Sequence, residues 1–209
     1  MPGQTDVAAG GGGGGGPDGA ATRPADPAGP AAAPGDRIAA AALAELPREG
    51  SILLDAGPLS ERLARSLPPA CGLNVITNSM SVAMHLMTRE DVTVLLIGGR
   101  IHADAGATVG GPGATGLEGL RVDVAFITPD GISPQRGLTA RVPVESAAKR
   151  MMVQAAGRVV VLAPRTVVGY VGLARFAALA DVDRLITDAS CDTPAGRRIM
   201  VGVQDATRV

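Results

Sequence analysis

One pattern recurs along this chain and limits what it can fold into. A short apolar run stops at small polar residues or glycine and is followed by a segment with helical spacing. Residues 122–127 run as an apolar strand and then, past Thr128 and Pro129, break into Asp130 and Gly131. Leu53 and Leu54 lead into Asp55, Ala56 and Gly57, and Val75 and Ile76 into Thr77, Asn78 and Ser79. Leu95, Leu96 and Ile97 lead into Gly98 and Gly99, and Leu185 and Ile186 into Thr187 and Asp188. Strands alternating with helices predict an α/β fold, a mostly parallel sheet covered by helices on both faces, because parallel pairing needs crossovers of that length. Strand ends of this character predict one shared crevice at the sheet's carboxyl edge.

Spacing and caps place the other elements. Asp36 is the expected N-cap of a helix over 37–46, with Ile38, Ala42 and Leu46 on one face and Pro47 as its stop. Pro58 fits the first turn of a helix carrying Leu59, Leu63 and Leu67. A helix over 79–88 turns Val82, Ala83 and Leu86 inward, residues 100–116 read as loop, and a short helix is expected over 117–120. Pro143 opens the longest helix, 144–156, which Gly157 would end in a left-handed conformation. The spacing further predicts a strand over 158–162, a helix over 173–179, a helical turn over 194–198 and a marginal strand around Val201 and Val203.

Composition separates the front of the chain from the rest of its 209 residues. Residues 1–35 contain seven consecutive glycines, Gly10 to Gly16, and no Leu, Ile or Phe. They cannot bury enough apolar area to offset chain entropy, so they are expected to be a disordered tail ahead of one domain, 36–209. A net charge of -1 with no basic run excludes general attraction to a phosphate backbone, and no direct nucleic-acid binding by this chain alone is expected. Cys71 and Cys191 stand far apart and read as reduced thiols. No apolar run of about 18 residues and no signal-like N-terminus occur, so a cytoplasmic protein without membrane contact is expected. With Phe126, Phe176 and Tyr170 the only aromatics, Ala, Val, Leu, Ile and Met must fill the core.

Several residues could carry chemistry. The turn from Asp55 through Gly57 to Ser60 joins a strand to a helix, where backbone N–H groups can hold an anion and Gly57 permits close approach. Plain turn chemistry is the more frequent explanation of such a turn. Thr77, Asn78 and Ser79 carry the same ambiguity, since Asn78 or Ser79 can simply cap a helix. Glu145 and Lys149 stand four residues apart on the longest helix, near Asp130 and Gly131 in the chain. They are either a solvated surface pair worth a few tenths of a kcal/mol or a pair recognising sugar hydroxyls and phosphate. His85 and His102 lack partners at metal spacing and read as structural or exposed, Met151 and Met152 read as core, and no metal or cofactor is expected.

These motifs, in order and spacing, resemble the C-terminal sensor domain of DeoR-type bacterial transcriptional regulators. They are DRIA at 36–39, ILLDAG at 52–57, VITNS at 75–79, LLIGG at 95–99, VDVAF at 122–126, DGI at 130–132, GLT at 137–139, ESAAK at 145–149, VVVLA at 159–163 and LITD at 185–188. The resemblance implies a fold similar to ribose-5-phosphate isomerase and the CoA-transferases, and reversible binding of a phosphorylated sugar or related small effector without turnover. It implies a ligand site at Asp55, Gly57, Ser60, Thr77, Asn78, Ser79, Gly98, Gly99, Asp130, Gly131, Gly137, Thr139, Glu145 and Lys149. The chain departs from the family pattern in three places. GPLS at 57–60 stands where the family has GTTT, which removes hydroxyls and one backbone N–H; TP at 128–129 stands for GA. LAPRTVVG at 162–169 stands for LADSSKFG, with Arg165 as the available replacement for the lost lysine charge. Residues 1–35 offer no winged helix-turn-helix. The expected partners are therefore other copies of the chain or a DNA-binding relative. Two other readings stand beside this one: an aldose-ketose phosphate isomerase using Glu145 or Asp130 as base, and a domain retained for oligomerisation.

Overall fold

A computed structural model of the chain describes residues 32–110, 117–189 and 192–209. The expected tail up to Ala31 and the thiol of Cys191 lie outside the described residues. Helix α1 (Pro34–Ala42) leads to β1 (Ser51–Leu54), α2 (Pro58–Ser66), β2 (Asn74–Thr77), α3 (Met80–Leu86) and β3 (Thr93–Leu96). There follow β4 (Arg100–His102), β5 (Ala107–Val109), β6 (Val122–Ile127), β7 (Gly131–Ser133), β8 (Gly137–Ala140) and α4 (Pro143–Ala155). The remainder is β9 (Ala156–Ala163), β10 (Ala174–Ala177), β11 (Arg184–Thr187), α5 (Pro194–Gly202) and β12 (Asp205–Arg208).

Seven of these strands form one parallel sheet in the order β12-β11-β9-β6-β1-β2-β3. From β1 the chain steps outward through β2 to β3, then returns to the other side of β1 at β6 and steps outward again. The order therefore reverses between β1 and β6, which is where an open α/β sheet leaves a crevice. Their register aligns Leu54 with Phe126, so Asp55 emerges level with the end of β6, its N–H donating to the Phe126 carbonyl at 3.3 Å.

Strand alternation divides the core into two layers. Ile52, Leu54, Val124, Phe126 and Leu162 face Ile38 of α1, Leu63 of α2 and Leu86 of α3. Leu53, Ala125, Ile127 and Val161 face the opposite way, against Met152 of α4 and Ile199 of α5. The antiparallel sheet β10-β8-β7 supplies Ile132 and Leu138 to this second layer. Helices thus cover both faces, as expected. Cys71 is a free, partly buried thiol. Among the described residues no helix is long and apolar enough to cross a membrane.

Several local expectations need correction. The first helix begins at Pro34 with Ala33 at its N-cap; Asp36 lies in its first turn, paired with Arg62, and the last turn is a 3-10 turn at Leu43–Glu45. Residues 100–110 hold a two-stranded hairpin, and 117–119 form a turn instead of a helix. The expected helix over 173–179 is strand β10, because Arg175 pairs with Thr139 on β8 and this partner outweighs the local spacing. Gly157 caps nothing: α4 passes directly into β9, and Gly157 lies within that strand. The last helix runs through Val201 to Gly202, and the final strand starts only at Asp205.

At the amino edge of the sheet, the Ser51 N–H and Oγ donate to Asp123 Oδ2 at 2.7 and 2.8 Å. These bonds hold the Asp123 carboxyl below the usual carboxylate range. A depressed pKa gives stability that is present above the unfolded value, ~3.9, and is lost as pH falls below it. The stability difference between the parent protein and Asp123→Ala, measured by chemical denaturation, should therefore shrink between about pH 6 and about pH 3. Phe126, fully buried at the centre of the sheet, should cost about 3–5 kcal/mol when replaced by Ala in the same assay.

Candidate functional site

An open cleft of about 810 Å3 lies at the carboxyl edge of the sheet, over the ends of β1 and β6. The β1 turn contributes Asp55, Gly57 and Pro58, the β6 turn Thr128, Pro129 and Asp130, and the turn after β2 Asn78. The β4–β5 hairpin brings His102 and Asp104, the entry to α4 brings Arg141, Glu145 and Lys149, and the end of β9 brings Pro164.

The floor is a buried charge cluster. Asp55 is 1% exposed and Lys149 8% exposed, and the Lys149 ammonium pairs with Asp55 Oδ2. Lys149 also donates to the Thr128 carbonyl at 2.8 Å. The other bonds to the Asp55 carboxylate come from Ser60 Oγ to Oδ1 at 2.8 Å, the Thr128 N–H to Oδ2 at 2.8 Å and Thr128 Oγ1 to Oδ1 at 2.9 Å. Two charges so far from water are tolerable because each is paired and hydrogen-bonded. The cluster ties α4 to the ends of β1 and β6.

Two further pairs stand on the walls. The Arg141 side chain, 75% exposed, approaches Asp130 Oδ1 at 3.3 Å, and the Arg141 backbone N–H donates to Asp130 Oδ2 at 2.9 Å. His102 Nδ1 stands 3.1 Å from Glu145 Oε1, close enough for charge pairing when the imidazole is protonated but off line for a hydrogen bond. Glu145 and Lys149 therefore do not form the solvated i,i+4 pair; each reaches a partner distant in the chain. Asn78 Nδ2 donates to the Thr108 carbonyl at 3.0 Å, which orients the amide, and among the described residues its Oδ1 is buried without a partner. No group of three His, Cys, Asp or Glu side chains that could hold a metal occurs among the described residues.

Of the residues expected to bind ligand, the structure brings Asp55, Gly57, Asn78, Asp130, Glu145 and Lys149 to the cleft. Ser60, Thr77 and Ser79 lie behind it. Ser60 holds Asp55, Thr77 Oγ1 accepts the Ser79 N–H at 3.0 Å, and Ser79 Oγ caps α3 by accepting the Val82 N–H at 3.3 Å. Gly98 borders a separate small cavity of about 40 Å3, and Gly99 turns the chain where a side chain would strike the Gly110 carbonyl. Gly131, Gly137 and Thr139 build the three-stranded sheet: Thr139 Oγ1 donates to the Gly131 carbonyl at 3.1 Å and accepts the Gly172 N–H at 2.8 Å. Arg165 is exposed and off the lining, its N–H donating to Asp188 Oδ1 at 2.7 Å.

Sequence reasoning missed His102, Asp104, Thr128 and Arg141. Arg141 was recoverable, because it lies two residues before the Pro143 that opens the Glu145 helix and so faces the same edge. His102 carries no such signal, since a hairpin that reads as loop delivers it.

Lys149→Met leaves Asp55 buried and uncompensated, which should cost about 3–5 kcal/mol. Adding Asp55→Asn should recover most of that loss; denaturant midpoints of the two single variants and the double variant check it.

The profile described as "DeoR C terminal sensor domain" matches residues 35–189. The HTH-type transcriptional regulator GlpR of Haloferax volcanii is 30% identical over 162 residues, 78% of this chain and 63% of that protein. The transcriptional repressor GlcR of Bacillus subtilis is 32% identical over 68% of this chain and 56% of its own length. The glycerol-3-phosphate regulon repressor of Escherichia coli is 25% identical over 74% and 61%. This chain thus spans less than two thirds of each of these relatives. Among solved structures, ribose 5-phosphate isomerase A from Neisseria gonorrhoeae is similar with a TM-score of 0.45 and 14% identity, over 64% of this chain and 52% of that one.

Proposed function

The chain belongs to the DeoR C-terminal sensor-domain family, and on that premise we propose that its cleft reversibly binds a small polyhydroxylated effector of sugar size. This is the class that contains the expected phosphorylated sugars. The observation that carries the reading is the convergence of Asn78, Asp130, Arg141 and Glu145 at the point where strand order reverses. A cleft of about 810 Å3 falls within the range of roughly 300–1,000 Å3 usual for small-molecule sites.

Binding proceeds without turnover in this reading. Of the two carboxylates expected as a base, Asp130 is held by both the backbone and the side chain of Arg141, which leaves Glu145 beside His102 as the one free carboxylate of the pair. The Lys149 charge is spent on Asp55 and cannot stabilise an oxyanion.

Arg141 sits where β8 passes into α4, so a ligand hydroxyl that takes Asp130 from it acts directly on the entry of the longest helix. That movement is the proposed signal, a shift between two arrangements of one element. Relatives are named transcriptional regulators and repressors, and the corresponding role here is control of transcription. DNA contact is then made outside the described residues or by an oligomeric partner, a second copy or a DNA-binding relative. The name of the Escherichia coli relative points toward a three-carbon polyol phosphate as one member of the test panel.

A thermal-melting series with sugars, alditols and their phosphates checks the reading. An effector at 100 times its Kd should stabilise the protein by about 2.7 kcal/mol, visible as a higher Tm. Glu145→Gln should lower that shift. A flat response to the whole panel would remove the sensing role.

A further inference from the structure

The cleft has spent its fixed positive charge on its own residues, and this bears on which effector it takes. Four carboxylates line it, Asp55, Asp104, Asp130 and Glu145, against two permanent cations, Arg141 and Lys149. Lys149 is neutralised by Asp55 beneath the floor, and Arg141 lies against Asp130. Asp104 is exposed and Glu145 faces only His102. An arriving phosphate dianion therefore meets a surface of net negative sign.

The β1 turn, the natural anion cradle, is also filled. The Thr128 hydroxyl stands over Gly57, where a Cβ would lie 2.8 Å from it, and bonds the Asp55 carboxylate and the Ala56 carbonyl, the latter at 3.3 Å. Ser60 turns its hydroxyl inward to Asp55 and is fully buried. Pro58 supplies no N–H to the first turn of α2, and Pro143 supplies none to that of α4. Each helix also carries its own acid in that turn, Glu61 and Glu145, which offsets the dipole an anion would use.

What the walls offer instead is acceptors. Asn78, which stands between this cleft and the small cavity beside Gly98, is 6% exposed, and with its Nδ2 bonded to the Thr108 carbonyl its Oδ1 has no partner among the described residues. A buried carbonyl oxygen of this kind is satisfied by a hydroxyl or amino donor and repelled by a phosphoryl oxygen. Resting on the reading of this cleft as the effector site, we infer that the effector is an unphosphorylated, donor-rich polyol, and that the phosphate monoester of the same polyol is discriminated against.

Isothermal titration of the full chain with matched pairs tests this, using glycerol and glycerol 3-phosphate, sorbitol and sorbitol 6-phosphate, and glucosamine and glucosamine 6-phosphate. The unphosphorylated member of the binding pair should show a Kd at least ~10-fold lower than its phosphate. Asn78→Ala should weaken that member by ~10-fold or more, while circular dichroism and the melting profile confirm that the variant folds. The exposed substitution Asp104→Asn should improve phosphate binding several-fold and leave the unphosphorylated member nearly unchanged. Tighter binding of any phosphate over its parent polyol overturns this inference and leaves the sensor reading standing. Binding of neither member of any pair overturns the sensor reading and this inference with it.

Discussion

The buried pair between Lys149 and Asp55 is the interaction on which the geometry of the cleft depends. Asp55 follows β1, Thr128 follows β6, and Lys149 sits in the second turn of α4; the carboxylate, the ammonium and the Thr128 backbone close on one another within hydrogen-bond distance. Three elements distant from one another in the sequence are held at one point. The walls then follow: with α4 fixed by Lys149, Glu145 faces the hairpin histidine and Arg141 reaches Asp130. A charge pair this deep adds little net stability, because desolvation offsets most of the Coulomb gain, yet breaking it on one side strands a buried charge.

The same pair sets the chemistry of the site. A lysine left free at the floor would draw anions, but one matched by a buried aspartate leaves the surface to the carboxylates above it. The three places where the chain departs from the DeoR pattern reinforce this. Pro58 and Thr128 close the turn after β1, and the segment after β9 offers Arg165 outside the cleft.

Much of the fold was readable from the sequence, for a physical reason. Strands buried on both faces are near-continuous apolar runs, so β1, β2, β6, β9 and β11 could be placed and their polar ends could be expected to converge. Half-exposed or edge elements were less legible. β10 has helical spacing and becomes a strand because β8 is available to pair with it, and Gly157 looks like a helix cap but lies in a strand because α4 runs straight into β9. In the site, Asp55, Asn78, Asp130 and Glu145 were legible as strand-end or helix-start residues. The role of Lys149 was not: its partner lies 94 residues away, while the i,i+4 spacing with Glu145 suggested a local pair that does not form. Glycines and hydroxyls expected to touch ligand, such as Gly137 and Thr139, are instead committed to the backbone of the small sheet.

In the proposed function, effector binding occurs at the carboxyl edge between β1 and β6. Mapping backbone amide shifts by NMR during titration with the polyol that raises the Tm tests it most directly. The largest changes should fall on Asn78, His102, Asp130, Arg141 and Glu145. Changes centred on the exposed face of α3 or on the amino edge of the sheet, with those five residues unmoved, would contradict it.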